Sequence, residues 1–122
     1  MDARYLKLLA ENKLSGKVEA LEELLRSCTV CPKDCGNDRL NDEIAACYSG
    51  RLPIVSSYTA HFGEEPCLSG TSGAGNIFFG NCNLRCVFCQ NYDISQAIRP
   101  GGSEGHCPEA IAAMMLELQD CG

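Results

Sequence analysis

Ile77-Phe78-Phe79-Gly80-Asn81-Cys82-Asn83-Leu84-Arg85-Cys86-Val87-Phe88-Cys89-Gln90-Asn91 is the stretch from which the fold can be read. It opens with three apolar residues that favour extended backbone, which predicts a short buried strand. Three thiols follow at once, at spacings of three and two intervening residues. Upstream, Gly70-Thr71-Ser72-Gly73-Ala74-Gly75 reads as a tight turn leading into the strand. Before that, residues 53–60 favour an extended segment. Downstream, Gly101-Gly102 breaks the chain, and Pro108 then suits the first turn of a helix. In that helix Ile111, Met114, Met115 and Leu118 recur at helical spacing, so the methionine pair is read as packing. Strand, cysteine loop and helix in this order make half of a βαβ unit, and the fold class is α/β. The second strand of such a unit is missing, so the sequence is expected to be a portion of a longer protein, or to have a partner that supplies the rest.

Cys82, Cys86 and Cys89 form the leading candidate metal site. Iron–sulfur clusters are ordinarily held by four cysteines, and three leave one iron without a protein ligand. An open iron can be chelated by a cofactor that carries nitrogen and oxygen donors. The competing readings are a zinc site completed by Cys67 or Cys107, and three packed thiols.

The run resembles the CxxxCxΦC signature of the radical S-adenosylmethionine superfamily, with Phe88 at the aromatic position. The wider stretch from His61-Phe62-Gly63-Glu64-Glu65-Pro66-Cys67 through Cys89-Gln90-Asn91 is similar to radical-SAM homologues of pyruvate formate-lyase activating enzyme. With the N-terminal cysteines included, the similarity covers most of the chain from Cys28 onward. The resemblance implies the N-terminal portion of a partial (β/α) barrel, preceded by a helical, cysteine-rich extension. It implies a 4Fe-4S cluster on Cys82, Cys86 and Cys89 that binds S-adenosyl-L-methionine, and Phe88 near the adenine. Reductive cleavage would release a 5′-deoxyadenosyl radical for hydrogen abstraction. The implied partners are a reductant protein such as flavodoxin or ferredoxin and a protein substrate, as for a glycyl-radical-enzyme activase. Asn81 stands where relatives commonly have Gly, and Asn tolerates left-handed backbone better than most residues. The family's Gly-Gly-Glu motif has no match: Gly101-Gly102-Ser103-Glu104 carries an inserted Ser and precedes a helix. The alternative function is a non-catalytic zinc or iron–sulfur binding module.

Towards the N-terminus, residues 3–10 and 17–27 read as helices, with Ser15 as N-cap and Val18, Leu21, Leu24 and Leu25 as an apolar stripe. The segment from Cys28 to Gly50 has little periodicity. Its Cys28-Thr29-Val30-Cys31-Pro32-Lys33-Asp34-Cys35 mirrors the later motif, and Cys47 follows. Four thiolates would close a coordination sphere, which suits either zinc or a fully ligated cluster. Reduced cysteines packed beside a loop are the bland alternative. The chain divides into residues 1–50, the metal-binding extension, and 51–122, the start of the radical-SAM domain.

Ten cysteines in 122 residues would suit a secreted disulfide scaffold. The first residues, however, interleave charge with apolar groups and carry no signal-like core, so a cytoplasmic, reducing setting is expected, in which such cysteines bind metal more often than they pair. A net charge of −6 with no basic block argues against nucleic acid. No run reaches the about 18 apolar residues of a membrane span. The Gly70–Asn76 segment fails both the phosphate-loop and the dinucleotide patterns, for want of a Lys and of a third Gly. His61 reads as a structural or surface histidine, Cys107 and Cys121 as bystanders, and Arg85 and Asn91 as surface or turn residues. Cys67 is balanced between a site and an inert role.

Overall fold

A computed structural model of the chain describes residues 3–98 and 104–121. In chain order these form α1 (Arg4–Ala10), α2 (Leu14–Glu23), a 3-10 turn (Arg39–Asn41), β1 (Val55–His61), α3 (Pro66–Ser69), β2 (Ala74–Phe79), α4 (Tyr92–Ser95) and α5 (Pro108–Asp120). The architecture is mixed α/β around a two-stranded sheet.

β1 and β2 pair antiparallel, with Tyr58 opposite Ile77 and His61 opposite Ala74, and an irregularity between Val55 and Ser57. The residues following His61 make the short helix α3 and then turn back at Gly73, whose φ is +86°. A side chain there would be strained, and its Cβ would lie 3.1 Å from the His61 carbonyl oxygen. The turn is therefore shorter than the glycine pattern predicts, because Ala74 and Gly75 already belong to β2. Nor is the strand buried: Phe79 is 49% exposed. The pairing adds what the half-βαβ expectation did not contain, since β2's neighbour is the preceding extended segment, running the opposite way. Twelve residues between the strands suffice for an antiparallel return.

α5 lies across both strands. Pro108 occupies its first turn, as expected, where a missing N–H costs nothing. Gly75 lets the helix approach, because a Cβ there would stand 3.1 Å from the Leu118 Cβ. The Tyr58 hydroxyl donates to Glu117 at 2.8 Å, and this bond raises the phenol above its ordinary pKa. Met114 is half-buried, but Met115 is 57% exposed, so only part of the predicted apolar face packs.

α2 differs from its sequence reading. It starts at Leu14, so Ser15 sits inside the first turn and the N-cap position falls to Lys13, which makes no side-chain cap. It ends at Glu23, where Leu25 and Arg26 donate to the carbonyls of Glu22 and Glu23 and tighten the chain into turns. Val18, Leu21 and Leu24 point into solvent, not into a core.

Polar side chains, not regular elements, shape residues 27–51. Asp38 caps the 3-10 turn through the N–H groups of Leu40 and Asn41. Buried Asn37 donates to the Glu43 carbonyl. Arg39 donates twice to the Gly50 carbonyl, at 2.9 and 2.8 Å. The chain exposes 8912 Å², against about 6,400 Å² for a compact monomer of its 13.2 kDa. Cys28 is the one apolar residue below a tenth exposure among those described. No described helix is long and apolar enough to cross a membrane.

Candidate metal centre

The first cysteine loop leaves β2 through Gly80, whose N–H donates to the Ile54 carbonyl, and Asn81, whose N–H donates to Ile94. Two residues turn it in left-handed backbone: Asn81 at φ +63° and Arg85 at φ +53°. The tolerance of Asn for this conformation is thus used at the entry to the loop. Cys82, Cys86 and Cys89 are all half-buried free thiols on this one loop. α4 returns polar side chains to them. Ser95 and Cys89 share a hydrogen bond at 3.1 Å, and Gln96, only 7% exposed, donates to the Cys86 carbonyl at 2.8 Å. On the outer side Leu84, Val87 and Phe88 stand 70%, 100% and 86% exposed, an apolar rim beside the thiols.

The second cysteine segment packs directly on this loop. Asn81 Nδ2 donates to the Tyr48 carbonyl at 2.9 Å. Arg85 donates to the Ala46 carbonyl at 3.1 Å and lies 4.9 Å over the Tyr48 ring. Tyr48 itself has φ +55°, an uncommon conformation for so large a side chain. Between the segments lies a cavity of about 320 Å³, whose walls include Cys28, Cys31, Cys35, Cys47 and, from the first loop, Cys82. The Asn83 side chain hydrogen-bonds the Cys31 thiol; with the Lys33 backbone N–H and the charges of Lys33 and Arg39, this holds it below the ordinary thiol range. Cys35 donates to Asn37 Oδ1. Among the described residues, no three Cys, His, Asp or Glu side chains are drawn together as ligands of a metal ion.

The remaining candidates stand apart. Cys67 lies on α3, Cys107 at the N-cap of α5 and Cys121 just beyond it, all exposed. His61 ends β1 with Nε2 3.8 Å from Glu64, a surface pair when protonated. Asn91 precedes α4 and its carbonyl accepts the Ser95 N–H, a turn role. Of the Gly-Gly-Ser-Glu stretch, residues 101–103 lie outside those described. Sequence reasoning missed Tyr48, Asn83, Ser95 and Gln96, because single polar residues acting through hydrogen bonds have no periodicity to betray them.

Asn81 offers a direct test of this junction. Asn81→Ala places a Cβ-bearing residue without a polar group in left-handed backbone, at about 1–2 kcal/mol, and deletes the bond to Tyr48, at about 1 kcal/mol. Asn81→Gly deletes the bond but relieves the backbone. Urea denaturation should find the alanine variant the less stable by about 1 kcal/mol; equal stabilities would mean that the backbone angle is not the constraint. Asn81 Oδ1, buried without a hydrogen-bond partner, lowers the net loss equally in both.

Comparison with known proteins adds a sequence relative. The chain is 32% identical over 127 positions to an uncharacterized protein of Methanocaldococcus jannaschii, an alignment covering 98% of this chain and 35% of that protein. The chain thus spans about a third of the length of the curated relative it matches. No family model matches it. No solved structure matches it either.

Proposed function

We propose that the chain is the N-terminal part of a radical S-adenosylmethionine protein, a partial (β/α) barrel in which Cys82, Cys86 and Cys89 hold a 4Fe-4S cluster. The observation that carries this reading is the placement of three half-buried free cysteines on one loop directly after a strand. The donor set fits the group, since soft thiolates favour iron–sulfur clusters and three of them leave one iron for another ligand. When bound, such a cluster supplies a coordination position and an electron for cleaving the sulfonium of the cofactor.

The chain's own residues bind and orient. Gln96 fixes the Cys86 carbonyl, and Ser95 takes the Cys89 thiol. Arg85 pins the middle of the loop to the preceding segment. Phe88 and Val87 offer an uncovered apolar surface beside the ligands, suited to one face of an adenine. The reaction class is hydrogen abstraction in the cytoplasm, with electrons from a flavodoxin- or ferredoxin-like protein and a glycyl-radical protein as the substrate class.

Anaerobic reconstitution of the full-length protein with iron and sulfide tests the reading. The reduced protein should show an electron paramagnetic resonance signal that changes when S-adenosylmethionine is added. Bound zinc with no cofactor effect would instead make the chain a non-catalytic metal-binding module.

A further inference from the structure

The cavity between the two cysteine segments goes beyond the site just described. Its walls carry four thiols from separate turns of residues 28–47, together with Cys82 from the other side. Its lining contains no Asp, Glu or His; the charged oxygen donors that calcium, magnesium and manganese favour are absent from it, and its side-chain oxygens are the neutral ones of Ser49, Asn81 and Asn83. Lys33 and Arg39 line it as well, a positive contribution suited to an anionic occupant rather than to a bare cation. None of the cysteines is engaged in a disulfide.

Size then separates the two metals that thiolates favour. A tetrahedral zinc site holds its sulfurs about 2.3 Å from one point, hence within about 4 Å of one another, and leaves no space inside. Here the cysteines line an open volume of about 320 Å³, roughly that of ten water molecules. A cluster in which each thiolate binds a different iron needs open space among its ligands.

We propose that this cavity holds a polynuclear iron–sulfur cluster ligated by Cys28, Cys31, Cys35 and Cys47, distinct from the site on Cys82, Cys86 and Cys89. Four protein ligands saturate it, so unlike the loop site it offers no position to S-adenosylmethionine. Cys82 belongs to the loop site and stands in the wall between the two. The inference does not depend on the cofactor chemistry proposed for the loop.

The test uses the full-length protein with Cys86→Ala and Cys89→Ala together, which cripples the loop site and leaves every cavity cysteine in place. After anaerobic reconstitution this variant should keep about four irons and an equal amount of acid-labile sulfide, roughly half the wild-type load, with no response to S-adenosylmethionine. Cys31→Ser with Cys47→Ser should show the converse: half the iron and an intact response. Loss of all iron from the first variant, or one zinc and no sulfide, would overturn the proposal. Should either variant fail to fold, Mössbauer spectra of the wild type decide: about eight irons per chain, or about four that ignore S-adenosylmethionine, support the cavity cluster, and about four that all respond to the cofactor refute it. A wild type that ignores S-adenosylmethionine, beside a first variant that keeps its iron, would sink the proposed function and leave this inference standing.

Discussion

Replacing Cys86 by alanine in the full-length protein is expected to abolish the S-adenosylmethionine-dependent spectral change and all reductive cleavage of the cofactor. Cys86 is the middle one of the three cysteines proposed as ligands, and its carbonyl is tied to Gln96. Without its thiolate two ligands remain on the loop, and an iron cluster held by two cysteines has lost half the usual protein coordination. The loss should be complete rather than graded, because an absent cluster transfers no electron. Cys121→Ala serves as the control: that thiol is exposed at the end of α5, away from the loop. Metal analysis and product assay under strict anaerobiosis report both outcomes. A Cys86→Ala protein with undiminished iron and cofactor response would show that the loop is not the site.

Stripping the cluster proposed for the cavity should have a second large effect, on the order of residues 28–50. This segment contains one 3-10 turn and otherwise irregular chain, and Cys28 is the one described apolar residue below a tenth exposure. The hydrophobic contribution that ordinarily holds a segment in place is therefore small here. What remains is a set of hydrogen bonds, from Asn37, Asp38 and Arg39 above all, each worth about 1 kcal/mol net. Metal ligation couples to folding with far larger free energies, about 10 kcal/mol for small structural sites. Oxidative chelation is accordingly expected to lower amide-exchange protection across residues 28–50 by about a hundredfold or more. The amides of α5, held by helix bonds and by packing on the sheet, should change much less. Equal protection with and without metal would mean that the segment is ordered by the polypeptide alone.

How much of this was legible beforehand differs from element to element. α5 was readable because Pro108 marks its start and its apolar residues recur at helical spacing, two local signals that agree. The extended character of residues 53–60 and of Ile77-Phe78-Phe79 was readable from residue type. Their antiparallel pairing was not, since residue type does not say which strand finds which partner. Ser15 looks like a cap and points to a later start for α2; the helix instead begins at Leu14, uncapped, and its apolar stripe has no described surface to cover it. The Asn81 turn was foreseen from the conformational latitude of Asn, and the backbone adopts it.

The sequence by itself determined the chemistry on offer: soft sulfur donors concentrated at Cys28, Cys31 and Cys35, with Cys47 further on, and again at Cys82, Cys86 and Cys89. Tertiary structure alone decided that the two sets face each other. Asn81 reaches Tyr48 across 33 positions and Arg85 reaches Ala46 across 39. Such contacts run from single side chains to backbone carbonyls, which every residue possesses, so no pattern of residue types announces them before the chain is folded.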